Sequence, residues 1–364
     1  MKVPIRYVAA FAAVTLVATA CSSGSTSAPA TIAPASAAAA SAAPASAAAA
    51  SAAPASAAAN CTPVTGTNIP IGFAEVTLQS PFYVELVNAA KAEAKSLGYD
   101  MTMLDANGDV AKQNKDIQDL ITKGIKVLIL NPANPQAVQP SIEAAKAAGI
   151  SVVTVDRPVA SGANVHVGRD NVQMGKLVGE EAKRLLASGG KVIEIQGDAG
   201  GIVMQNRRDG FEGVIKGVSG VTLVQGPYAE YIRANAVKAM QDLLVANPDV
   251  KLVYSHNDDM SLGASQVLQA AGVKGVFITG VDGLMEALKG IKAGTYNATA
   301  LNDPQYLGRL TVQAADRLLK CQPVPATINA GTTLVTPANV DQYLGDTLFA
   351  KFQPEIDWTT GQPK

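Results

Sequence analysis

The sequence predicts an α/β protein built as two doubly wound parallel-sheet lobes. Three observations carry that prediction. Short apolar runs such as "KVLIL" (126–130) and "ISVVTV" (150–155) alternate with amphipathic stretches along residues 61–364. The runs are apolar throughout rather than every second residue, as in strands covered on both faces by helices. There are also more strand–helix units than one sheet holds comfortably, so two lobes suit the length.

Each element has its own warrant. "IPIGFAEV" (69–76) reads as the first strand. "YVELVNAAKAEAKSLG" (83–98) follows with apolar residues at helical spacing and Gly98 as a stop. Strand 101–104, helix 111–123, strand 126–130, helix 135–148 and strand 150–155 continue the beat. After "ANVHVGRDN" (163–171) it resumes with helix 172–187, strand "KVIEIQ" (191–196), helix 203–217 and strand 221–225. Helix 232–246, strand "KLVYS" (251–255), helix 259–271, strand "GVFITG" (275–280), helix 283–290 and strand 296–301 follow. Helix 304–320 comes last, before short strand and loop segments.

The first sixty residues are of a different kind. Residues 1–20 read as a secretory signal, with Lys2 and Arg6 ahead of the apolar run Tyr7 to Val17. "LVATAC" ends on Cys21 and resembles a bacterial lipoprotein signal, which makes Cys21 the expected lipidation site; an ordinary cleavable signal is the alternative. Residues 21–60 include a repeated Ala/Ser/Pro decapeptide with no large apolar side chain to bury. That stretch reads as a semi-extended tether or as plain disorder.

Composition excludes several functions. Formal net charge is -1 with no basic cluster, so nucleic acid is not an expected partner. The only histidines are His166 and His256 and no Cys-x-x-Cys occurs, so neither a metal nor a cofactor is expected. Both histidines read as packing or surface residues. Cys61 and Cys321, in an exported and oxidising compartment, are candidates for one disulfide. "GDAGG" (197–201) lacks the lysine and the pattern of a phosphate loop.

The polar residues collect where strands end, which is where open parallel sheets bind ligands. The first strand runs into "TLQSPFY", the fourth into Asp156 and Arg157, and "IEIQGDAG" leads towards Arg207. "LVYSHNDD" delivers Asn257, "FITGVDG" delivers Asp282 and "ATALND" delivers Asn302. No cysteine or serine in this set pairs with a histidine. Carboxylates accept from hydroxyls, guanidinium groups donate in a rigid fork, and flat rings cover C–H faces. The set therefore points to a neutral polyhydroxylated ligand. Asn257 can also cap the helix after it, with Asp258 and Asp259 structural in its first turn. Of Arg207 and Arg208, one is expected on the surface.

The motifs "SPFYVELVNAAKAEAKSLGY", "NKDIQDLITKGIKVLILNP", "VVTVDRPV", "VGRDN", "HNDDMSLGA", "GVDG" and "NATALNDP" together resemble the ribose/galactose type of periplasmic sugar-binding protein. The likeness runs from about Ile69 to about Val335. It implies a type I fold with a ligand cleft between lobes joined by a three-crossing hinge. Residues 61–169 and 303–331 would form one lobe, and 170–302 and 332–364 the other. The resemblance implies that Phe82 and Tyr83 stack on one sugar face beside Ser80, and that Asp156 and Arg157 bond hydroxyls from the same lobe. Arg207, Asn257 and Asp282 would bond from the second lobe, with Tyr231 over the opposite face and Asn302 near a hinge crossing. It also implies that Cys61 and Cys321 lie on one lobe. Ribose binders carry serine at Val76, asparagine at Ser80, phenylalanine at Tyr231 and glutamine at Asn302, so a pentose, a hexose or a polyol stays open.

The family's role implies a non-enzymatic, monomeric component of an ABC importer. It would deliver a monosaccharide or polyol to a permease and its ATPase, and hold to the outer face of the cytoplasmic membrane through a lipid anchor only. A sensor protein docking on a signalling receptor, and an exported α/β enzyme, are the other readings.

Overall fold

The structure is a computed structural model that describes residues 61–364. The signal (1–20), the tether (21–60) and Cys21 lie outside the described residues.

The first half opens with β1 (Ile69–Glu75), α1 (Pro81–Ser96), β2 (Tyr99–Asp105), α2 (Val110–Thr122), β3 (Val127–Leu130), α3 (Gln139–Ala147), β4 (Ser151–Val155) and β5 (Val165–Gly168). Pro81 opens α1, where its fixed φ suits the first turn and its missing N–H costs nothing. The helix thus begins two residues before the expected 83, so Phe82 stands with Tyr83 in its first turn rather than in a loop ahead of it. β5 was not among the expected strands. Four residues reading Val-His-Val-Gly are too few to show a period, and only pairing with β4 makes them a strand.

The second half holds α4 (Asn171–Leu185), β6 (Gly190–Gln196), α5 (Ile202–Ile215), β7 (Val221–Tyr228), α6 (Arg233–Ala246), β8 (Val250–Ser255), α7 (Asp258–Ala270), β9 (Phe277–Asp282), α8 (Met285–Ala293) and β10 (Ala298–Leu301). Then come α9 (Pro304–Leu319), β11 (Thr327–Asn329), β12 (Leu334–Val335), β13 (Ile356–Asp357) and β14 (Gln362–Pro363).

Two six-stranded sheets result. Their orders are β11-β5-β4-β3-β1-β2 and β12-β10-β9-β8-β6-β7. Within each, pairing is parallel except for β12, which lies antiparallel to β10. Both sheets reverse direction beside their first strand, between β1 and β3 and between β6 and β8. Such switch points leave crevices at the carboxyl ends of strands. The chain passes between sheets after β5, after β10 and after β11.

Helices cover both faces of each sheet. Leu86 of α1 and Leu307 of α9 close one face of the first sheet, Ile117 of α2 and Ile142 of α3 the other. Met240, Met260 and Leu288 close one face of the second sheet, Val178 and Phe211 the other.

The C-terminal segment departs from its expected place. Residues 332–364 do not stay with the second lobe. Val335, Val340 and Ala350 do pack there, but Ile356 and Trp358 join the core of the first. The Asn329 N–H donates to the Gly361 carbonyl at 2.7 Å, and Arg317 lies 4.8 Å from the Trp358 ring. The physical reason is an unfilled edge: β11 ends the first sheet, and the β13–β14 hairpin covers it. A disulfide joins Cys61 to Cys321 with their Cα atoms 5.8 Å apart, tying the segment before β1 to the end of α9.

Candidate functional site

A small, partly open cavity lies between the two sheets. Ser80, Phe82, Tyr83 and Asp156 line it from the first lobe. Arg207, Tyr231, Asn257, Asp282 and Asn302 line it from the second lobe and its return crossing.

Local sequence explains each placement. Ser80 is the residue that precedes α1, so it stands at the mouth of that helix. Asp156 follows β4 at φ 60, Tyr231 follows β7 at φ 60, and Asp282 ends β9 at φ 116. Left-handed backbone at residues other than glycine costs about 1–3 kcal/mol each, and such strain clusters at functional sites. Asn257 is the N-cap of α7. Its Oδ1 accepts from the Met260 N–H at 2.9 Å, while its Nδ2 donates to the Tyr231 carbonyl at 3.3 Å. The capping and cavity-facing readings of Asn257 hold together.

Arg207 owes its position to helix packing. A side chain at Gly175 would strike the Arg207 carbonyl at 2.1 Å, and one at Gly210 would strike the Val172 carbonyl at the same distance. The two glycines let α4 and α5 touch backbone to backbone, which aims Arg207 inward. Its Nε donates to Asn171 at 2.9 Å, one terminal nitrogen donates to the His256 carbonyl at 2.5 Å, and the other lies 3.4 Å from Asp282. Arg208 is the surface member of the pair, beside Asp209.

Burial dominates the electrostatics. Desolvation raises the Asp156 carboxyl against the pull of Arg157 and Arg207. Desolvation also pushes Asp282 up to about 7, opposed by Arg207 and by the Asn302 amide, which donates to it at 3.1 Å. The Tyr231 hydroxyl and the Asn302 Oδ1 are buried without a protein partner. Two poised carboxylates, a fixed guanidinium, carboxamides and unpaired polar atoms suit a ligand that both donates and accepts.

Arg157 differs from its expected role. It does not line this cavity beside Asp156. It turns to the outer cleft, where it donates to the Tyr83 hydroxyl at 2.9 Å and meets Asp198 at 3.3 Å. The chain turns tightly at Asp156, where φ is 60 and the Arg157 N–H donates back to the Val155 carbonyl at 2.6 Å, so the two side chains part there. Val203, by contrast, lines the cavity without having been singled out. Nothing in the sequence distinguishes it from the other valines of the core.

Asp258 is structural. Its carboxyl accepts from the Gly283 and Leu284 N–H groups at 2.8 Å and from the Tyr296 hydroxyl at 2.7 Å, which shapes the turn after Asp282. Asp259 pairs with Arg233 at 2.9 Å. His256 is fully buried, with Nε2 2.8 Å from Glu194.

Comparison with known proteins agrees with this architecture. The family model for the periplasmic binding protein domain matches residues 71–323. The ribose import binding protein of Escherichia coli K12 is 38% identical over 251 residues, spanning 69% of this chain and 84% of the relative. The D-apiose import binding protein of Paraburkholderia graminis is 31% identical, spanning 71% of this chain and 85% of the relative. A solved ABC transporter solute binding protein from Mycobacterium smegmatis, with bound glycerol, superposes with a TM-score of 0.77 at 55% identity. That match covers 79% of this chain and all of the other. A two-lobed α/β body with its polar strand ends turned to one interlobe cavity is thus met by matches across most of its length, and the chain belongs to the periplasmic binding protein family.

Proposed function

We propose that this protein is the substrate-binding component of an ABC importer and captures a monosaccharide or polyol between its lobes. The observation that carries the reading is the cavity itself. Carboxylates, a guanidinium, carboxamides and aromatic rings from both lobes surround it. The matched relatives are named for import of ribose and apiose, and a similar solved protein holds glycerol, so compact hydroxylated molecules fit the class. Phe82 and Tyr231 cover the faces of the ligand, and Asp156, Arg207, Asn257, Asp282 and Asn302 bond its hydroxyls. Rotation at the three crossings closes the lobes on it. Cys21 carries the lipid anchor, residues 21–60 hold the body off the outer face of the membrane, and a permease with its ATPase receives the closed form.

Calorimetric titration of glycerol, pentoses, hexoses and inositol tests the reading, with Asp156→Asn alongside. Asparagine tolerates the left-handed φ of this position and keeps one acceptor. The variant is expected to bind the best ligand 30-fold to several-thousand-fold more weakly, from a loss of about 2–5 kcal/mol. Its melting curve is expected to move little. Equal affinity in the variant, or no binding by the wild type across the panel, overturns the proposal.

A further inference from the structure

Arg157 and Asp198 form, among the described residues, the one ion pair that joins the two lobes across the cleft. Arg157 follows β4 of the first lobe and Asp198 follows β6 of the second. We propose that Asp198 is a positioning residue for ligand binding: it holds the Arg157 guanidinium from across the cleft and latches the lobes in the closed state. The proposal rests on the sugar- or polyol-binding reading and says how that binding is stabilised.

Three observations support it. Arg157 is 7% exposed and lines the outer cleft together with Asp198 and Glu230, whereas its neighbour Asp156 lines the inner cavity. Its Nη2 meets both the Tyr83 hydroxyl and the Asp198 carboxylate, so one donor group bridges a first-lobe ring and a second-lobe acid. The contact is also single. Arg157 Nε and Asp198 Oδ1 have no protein partner, so water can take over the pair when the cleft opens. A bidentate, fully satisfied pair would resist that opening.

The surrounding charges fix the direction. Glu75, Asp156 and Tyr83 face Arg157 from the first lobe, and Asp198, Glu230 and Tyr231 face it from the second. In the open state the first-lobe acids remain near the guanidinium and those of the second lobe leave. The pair therefore stabilises closure alone. An interaction present only in the closed state multiplies every ligand's apparent affinity by one common factor, whatever the ligand.

The test uses Asp198→Asn and Asp198→Glu. Asp198→Asn is expected to raise the dissociation constant of each sugar or polyol bound by the wild type by the same factor, about tenfold. The ranking of ligands stays unchanged. Solution scattering of the ligand-free variant is expected to give a larger radius than the wild type. Asp198→Glu keeps the charge and is expected to hold affinity within a few-fold of wild type. The latch is overturned if Asp198→Asn binds every ligand within twofold of wild type, or if its effect differs between ligands. It is equally overturned if Asp198→Glu loses as much affinity as Asp198→Asn. Should the wild type bind no member of the panel, the functional reading fails alone, and scattering of the ligand-free variant still decides the latch.

Discussion

His256 is held at both ring nitrogens: Nδ1 accepts from the Gly197 N–H at 3.2 Å, which leaves Nε2 to donate to Glu194 at 2.8 Å. Burial holds its pKa well below the ordinary 6.5, with Arg207 and Arg208 adding to the effect. The folded protein thus binds fewer protons here than the unfolded chain does below pH 6.5. Stability contributed by the imidazole is present above that pH and is lost as pH falls through it, by at most about 1.4 kcal/mol per pH unit; burial raises the Glu194 carboxyl, which acts in the opposite direction in wild type and variant alike. His256→Gln keeps a donor toward Glu194 and removes the titration. Denaturant melts at pH 7, 6 and 5 are expected to show the wild type losing stability relative to the variant. Parallel curves would rule this out. At this scale the sequence was legible only in part. It marked both Asp156 and Arg157 as polar at a strand end, but which side of the backbone each faces, and that Asp198 waits opposite Arg157, depends on residues distant in the chain.

Among the elements, the α4–α5 pair shows how packing aims a side chain. Gly210 faces the Val172 carbonyl and the Lys176 N–H so closely that a methyl group would lie 2.1 Å and 2.8 Å from them. Both are backbone atoms and cannot step aside. Gly210→Ala is expected to force the helices apart at a cost of about 1–3 kcal/mol. It is also expected to weaken ligand binding, because Arg207 rides on the displaced helix. Gly213, in the same helix, has open space around it. Gly213→Ala is expected to stabilise by about 0.5–1 kcal/mol and leave affinity alone. Thermal melts and titration of the two variants make the comparison, and similar behaviour would remove the packing argument. Helical spacing announced α4 and α5 correctly, with ends within a few residues. β5 escaped notice, since four residues carry no period of their own.

Across the whole molecule, the C-terminal tail makes a further passage between the lobes. The Met285 N–H donates to the Leu348 carbonyl and the Ala350 N–H to the Gly283 carbonyl, both at 2.8 Å, so the tail is anchored to the second lobe. The Phe352 N–H then reaches the Asp303 carboxylate at 3.2 Å, and residues 356–364 finish on the first lobe. On the way Phe349 packs edge-on against Phe82, with ring centroids 6.1 Å apart. Phe349→Ala is expected to cost about 3–5 kcal/mol of stability. It is also expected to weaken ligand binding, because Phe82 loses the ring behind it. A destabilised variant of unchanged affinity would show that the tail does not support the site.

The sequence by itself determined the alternation of strand and helix, the two lobes and the strand-end residues that gather at the cavity. These follow from local patterns: apolar runs, helical spacing and polar residues at the ends of buried strands. Tertiary structure alone decided the pairing of β5, the return of the tail, the entry of Val203 into the cavity lining and the turn of Arg157 towards Asp198. Each of these is a contact between segments far apart in the chain, and a local pattern records a residue's own environment but not the partner that completes it.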